Sequence, residues 1–130
     1  MIQLYQGVDI VEIPKFTSIL LRNDTCVLDI FTEQERTYCQ SRKEPYVHFA
    51  GRFAAKESFL KALGRGFSGP GIDHIFQEIE VVADGSGKPQ LTVTGWAAKL
   101  TKKRKIQQMS VSISHSADYA LASVILVGDR

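Results

Sequence analysis

The first residues alternate: Ile2, Leu4, Val8 and Ile10 share one parity, and the run continues into Val11 and Ile13. A period of two predicts a buried strand here. Pro14 changes the pattern, since proline suits the first turn of a helix, and Phe16, Ile19 and Leu20 then recur at helical spacing. A first helix is expected over about Pro14 to Arg22, stopped by Asn23-Asp24. Thr32 with Glu35 forms a capping box, in which each side chain can satisfy a backbone N–H at a helix start. A short second helix therefore runs to about Gln40. Beyond the connector Arg42-Lys43-Glu44-Pro45 lies the longest helical pattern, Tyr46 to Leu63, ended by Gly64 as its C-terminal cap.

The second half changes character. Gly64, Gly66, Gly69 and Gly71 predict a flexible loop, after which the period falls to two. Ile79, Val81 and Ala83 alternate with Glu78, Glu80 and Val82; Asp84-Gly85-Ser86-Gly87-Lys88-Pro89 is a turn cluster; Leu91 and Val93 resume the alternation. These segments predict an antiparallel hairpin. A short helix is expected from near Trp96 into Lys102-Lys103-Arg104-Lys105, where cations oppose the negative end of the helix dipole. Met109, Val111 and Ile113 alternate with Ser110, Ser112 and Ser114, and the chain turns near Ser116 to Asp118 and returns from Tyr119 to Val127. The resulting order, β-α-α-α-β-β-α-β-β with mainly antiparallel sheet, implies a single α+β domain over residues 1–130 rather than a doubly wound parallel sheet.

Composition narrows the partners. At 130 residues and 44% apolar content the chain suits one compact core. Its 16 basic and 14 acidic residues give a net charge of only +2, which marks neither a nucleic-acid nor a membrane binder. Cys26 and Cys39 fit no disulfide framework or CxxC pair, so a reducing compartment is expected. No basic leader precedes the first strand, and the longest apolar stretch, Ala120 to Val127, is far below the roughly 20 residues of a membrane-spanning helix. A soluble, cytoplasmic protein is the expectation.

On a helical wheel Phe53, Glu57 and Leu60 share a stripe, which sets a carboxylate in an apolar face. Burying it requires a cation or several donors. Lys61, four residues on, offers an ordinary ion pair; the other reading makes Glu57 a metal ligand and leaves Lys61 for an anion. Asp9 sits between Val8 and Ile10, where aspartate is a poor strand former, and Gly7 permits close approach. It could end the strand or cap a neighbour. If strand and helix pack together, the two carboxylates instead form a hard oxygen site for magnesium, which takes one or two carboxylates with water and phosphate oxygens. His48, His74 and His115 lack zinc-ligand spacing. Arg52, Lys56 and Lys61 spread positive charge along the main helix, and they or the loop GRGFSGPG could contact phosphates. That loop is not a Walker A motif and reads equally as a connector. The run Lys102 to Lys105 reads as a solvated face or a nucleic-acid contact, but it lacks interleaved stacking aromatics. In SVSISHS the serines suit an exposed strand face and no G-x-S-x-G elbow occurs, leaving His115 open.

Together Gly7-Val8-Asp9-Ile10, the block from Phe53 to Gly64 (FAAKESFLKALG) and Ser112-Ile113-Ser114-His115 resemble the bacterial holo-acyl-carrier-protein synthases, and Gly87-Lys88-Pro89 is similar as well. The middle block is the specific part, and the likeness spans the chain. It implies the phosphopantetheinyl transferase fold, a homotrimer with active sites between subunits, and transfer of 4′-phosphopantetheine from coenzyme A to a serine of an apo acyl carrier protein in fatty acid biosynthesis, with adenosine 3′,5′-bisphosphate released. By the same resemblance Asp9 and Glu57 would hold magnesium, and Lys61 would support the phosphates or leaving group. Glu57, or a metal-bound water near it, would take the serine proton. Arg52, Lys61, Gly64, Pro89 and His115 would contact coenzyme A, Pro89 near the adenine. Relatives often carry several arginines on the first helix, whereas this one has Lys15 and Arg22 among Phe16, Ile19, Leu20 and Leu21, so carrier docking is expected to lean on apolar contact. Two other classes remain at this point: a module that only sequesters coenzyme A, and a nucleic-acid binder acting through Lys102 to Lys105.

Overall fold

In the computed structural model, residues 1–64 and 72–130 are described. The elements are β1 (Ile2–Glu12), α1 (Ile13–Arg22), α2 (Asp24–Ile30), α3 (Glu33–Gln40), α4 (Pro45–Ala62), α5 (Ile72–Glu78), β2 (Ile79–Ala83), β3 (Pro89–Val93), α6 (Gly95–Lys103), β4 (Ile106–Ser116) and β5 (Tyr119–Asp129). Every expected strand and helix is present and the class is α+β, with α2 and α5 as additional short helices. Asn23, read as a stop, is the N-cap of α2, and Asp24 in its first turn favours the positive end of the helix dipole. The capping box of Thr32 and Glu35 forms in full. Most of the glycine-rich loop, including Gly66, Gly69 and Gly71, lies outside the described residues.

The two ends of the chain meet in one antiparallel sheet of order β1-β5-β4, while β2 and β3 form a separate hairpin. The β1–β5 register pairs Ile2 with Asp129 and Glu12 with Tyr119 along the full length of both strands. Helix α4 crosses the inner face of this sheet and is buried on nearly every side, from Phe49 to Ala62. Its close approach depends on two glycines. A Cβ on Gly7 of β1 would overlap the Ser58 carbonyl and stand 2.7 Å from the Ala62 nitrogen; one on Gly51 would meet Ile113 Cγ2 at 2.7 Å. The Ser58 hydroxyl, whose one O–H is shared between Ala54 O at 2.7 Å and Ala122 O at 3.0 Å, ties the helix to β5.

One expectation is reversed. Ile2, Leu4, Val8 and Ile10, expected to be buried, are 75%, 62%, 54% and 61% exposed, while Gly7 and Val11 of the opposite parity face the core. Tyr119, Leu121 and Ile125 of β5 continue this outer apolar surface, since Leu121 lies beside Ile10 and Tyr119 beside Glu12. Alternation identifies residues that share a face; it does not say which face the rest of the chain covers.

Candidate active site

Gly7 brings β1 against α4, so Asp9, two residues on and on the same side of the strand, reaches the last turns of the helix. There Lys61 Nζ donates to Asp9 Oδ1 at 2.6 Å and to Val8 O at 3.3 Å. The Asp9 side chain is 11% exposed and that of Lys61 52%. This departs from the local expectation of a Glu57–Lys61 pair: the lysine turns to the strand, and Glu57 has no hydrogen bond or ion pair among the described residues. Its carboxyl is pushed up to about 7 by burial first and by the Asp9 charge second, with Lys61 only partly opposing them. Lys61 is held above its usual range chiefly by its hydrogen bond to Asp9. Glu57 and Asp9 line one cleft of about 260 Å³ with Lys15, Phe16, Ile19 and Phe53. Phe53 stacks on Phe16 at 4.7 Å between centroids, and this aromatic wall helps desolvate the acid.

Two carboxylates beside each other, one of them strained toward protonation, are suited to a small divalent cation. Magnesium needs no more protein oxygens than these. The donor set fits the expected ion.

Arg52, Pro89 and His115 come together elsewhere. They line a cavity of about 170 Å³ with Tyr38, Val47, His48 and Gly87. The loop that carries Gly87 and Pro89 is built by Asp84, whose Oδ1 accepts from the backbone nitrogens of Ser86 and Lys88 at 2.8 and 3.0 Å. Burial and the neighbouring Arg52 and Arg42 hold His48 below its usual range. Gly64 follows α4 at φ +70°, where its nitrogen donates to Lys61 O at 2.9 Å and no atom crowds its Cβ position. Within a single chain the carboxylate cleft and the Arg52 cavity are separate, because Arg52 and Glu57 leave α4 on different sides.

A family model of the 4′-phosphopantetheinyl transferase superfamily matches residues 6–124. The chain belongs to this superfamily. The transferase is 44% identical over 124 residues to the holo-[acyl-carrier-protein] synthase of Syntrophotalea carbinolica, a match spanning 95% of this chain and 94% of that protein. It superposes on the Chronobacterium ammoniagenes ACPS-CoA complex with TM-score 0.87 at 36% identity over 98% of this chain and 99% of that one. For the apo-ACPS structure of that organism the TM-score is 0.88 at 36% identity, with both chains fully covered. The resemblance read from the motifs, and the enzyme class it implied, are thus borne out.

One sequence expectation about this transferase changes. Lys56, grouped with Arg52 and Lys61 as a phosphate contact, is fully buried and pairs with Glu35 at 2.7 Å. No anion can reach it. The sequence reading also passed over Tyr38 and weighed His48 only as a zinc ligand, whereas both line the Arg52 cavity. Tyr38 falls three residues after the capping Glu35 and so shares its helix face, a signal that was available. No helix among the described residues is long and apolar enough to cross a membrane.

Proposed function

We propose that the chain transfers 4′-phosphopantetheine from coenzyme A to a serine of an apo acyl carrier protein, as a holo-acyl-carrier-protein synthase serving fatty acid biosynthesis in the cytoplasm. The observation that carries this reading is Glu57: an unpaired carboxyl, raised to about 7, sharing a cleft with the Asp9–Lys61 pair. A carboxylate whose charge lacks a partner is matched to a cation or a proton. The serine hydroxyl attacks the phosphorus on the pantetheine side of the pyrophosphate, the bond to the bridging oxygen breaks, and adenosine 3′,5′-bisphosphate leaves. Glu57, directly or through a water it orients, takes the serine proton. Lys61 sets positive charge beside the phosphates while its contact with Asp9 fixes the ammonium. Asp9 and Glu57 would hold magnesium, which when bound supplies neutralisation of charge on the attacked phosphate.

Arg52, Pro89 and His115, with Gly64 near the end of α4, would bind the nucleotide portion of coenzyme A. Lys15 and Ile19 line the carboxylate cleft itself, which supports docking of the carrier along α1. The separation of the two clusters within one chain and the uncovered apolar face of β1 and β5 support a homotrimer whose sites form between subunits. The test is intact-mass analysis of an apo carrier incubated with protein, coenzyme A and magnesium. A gain of one phosphopantetheine is expected, with Glu57→Gln slowing it about 10²–10⁴-fold. No gain with any carrier in a bacterial panel would defeat the proposal, and coenzyme A binding without transfer would favour a sequestering module.

A further inference from the structure

Helices α3 and α4 are joined by two rungs. Glu35 and Tyr38 lie three apart on α3, Lys56 and Arg52 four apart on α4, so each pair shares one helix face. The lower rung is the buried ion pair, whose lysine also donates to Ile30 O at 2.9 Å and Phe76 O at 2.6 Å. Glu35 in turn accepts from the nitrogens of Thr32 at 2.9 Å and Val81 at 2.8 Å. In the upper rung the Arg52 guanidinium lies 4.1 Å from the centroid of the Tyr38 ring.

Arg52 is only 5% exposed, yet its Nε has no hydrogen-bond partner among the described residues and no carboxylate pairs with the group. A buried cation left so needs compensation. A carboxylate would supply it but would occupy the donor fork. An aromatic face attracts the cation without consuming its N–H groups. His48 packs edge-on to the Tyr38 ring at 5.9 Å between centroids, a second contact that steadies it.

We propose that Tyr38 is a positioning residue: its ring holds the Arg52 guanidinium so that the fork stays open for an anionic group of the coenzyme A nucleotide. The proposal rests on the reading that Arg52 binds coenzyme A. Tyr38 and Arg52 also form a wall of a second cavity, of about 560 Å³, with Glu33, Thr37 and Val81.

Steady-state kinetics with coenzyme A varied at fixed carrier test this in a double-mutant cycle. Tyr38→Leu is expected to raise KM for coenzyme A about tenfold with kcat within about twofold, while Tyr38→Phe, which keeps the aromatic face, stays within about twofold of the parent. Tyr38→Met, closer in length, carries the same expectation as the leucine variant should that one fail to fold. Arg52→Ala raises KM at least as much, and adding Tyr38→Leu to it changes nothing further. If the two effects multiply, or if Tyr38→Phe is as impaired as Tyr38→Leu, the positioning role is overturned. An Arg52→Ala enzyme with unchanged KM would instead remove the coenzyme A contact on which the proposal stands.

Discussion

Lys56 and Glu57 are neighbours in sequence, and their environments are opposite. Lys56, inside the molecule, has three acceptors for its three N–H groups, from Ile30, Glu35 and Phe76. Glu57 faces the cleft, has no partner among the described residues, and is raised toward neutrality by burial and by Asp9. One turn of α4 thus carries a charge that is fully satisfied and a charge that is not. The first can only hold the fold together. The second stores an electrostatic demand that a cation or a proton can meet, which is what the proposed role of Glu57 draws on.

The largest effect that would separate the two should come from removing the buried cation. Lys56→Met keeps most of the volume but leaves Glu35 buried and charged without its cation, and takes a donor from the Ile30 carbonyl. Breaking a buried pair from one side costs about 3–5 kcal/mol. Urea denaturation is expected to show that loss, whereas Glu57→Gln, expected to slow transfer, should leave the midpoint equal or higher. A Lys56→Met protein as stable as the parent would mean that the pair is not structural.

The sequence showed this contrast only in part. Glu57 was legible because a carboxylate in an apolar helical stripe and an aspartate inside an apolar strand are each locally out of place. Lys56 was not, since nothing near it distinguishes a buried lysine from a phosphate-binding one; its partner Glu35 is 21 residues away and already engaged in a capping box. The strand and helix order was readable from periodicity, because buried faces impose it. The outward turn of Ile2, Leu4, Val8 and Ile10 was not, because periodicity carries no information about what covers a face. Lys61 pairing with Asp9 rather than Glu57 follows from the tertiary approach at Gly7, which helical spacing alone cannot weigh.

Gly7→Ala tests that approach and should act on both sides of the comparison at once. The added methyl meets backbone at Ser58 and Ala62, which cannot rotate aside, so strand and helix must separate. Overpacking of this kind costs about 1–3 kcal/mol. The same shift displaces Asp9 from Lys61 and Glu57, and misplacing a reacting group by about 1 Å can cost up to about 100-fold in rate. Gly51→Ala provides the contrast, because its methyl meets one side-chain atom, Ile113 Cγ2 on a β-branched residue, rather than the backbone beside Asp9, so it should cost stability without moving the carboxylates. Transfer rates from the mass assay and thermal melting would be read on both variants. Equal impairment of the two would show that the Gly7 contact has no special bearing on the site.

The smallest expected effect concerns pH, and its sign follows from Glu57 alone. Burial and the Asp9 charge push its carboxyl up to about 7, well above the ordinary carboxylate range that holds in the unfolded chain. Between these values the unfolded chain releases the proton while the folded one keeps it, so this group makes stability fall as pH rises through that window and leaves a constant deficit above it. His48, held below its usual range by burial and by Arg52, acts in the opposite sense: stability gained from it rises with pH up to its unfolded titration. Comparing the parent with Glu57→Gln cancels the histidine, which both proteins keep. Without added metal, the melting temperature of Glu57→Gln relative to the parent should rise from pH 5 to pH 8 by roughly 2–6 °C. Magnesium at pH 8 favours the ionised carboxylate and should bring the parent back toward the variant, while the variant itself moves little. Parallel curves for the two proteins across the range, with or without magnesium, would mean that Glu57 is neither raised nor a ligand.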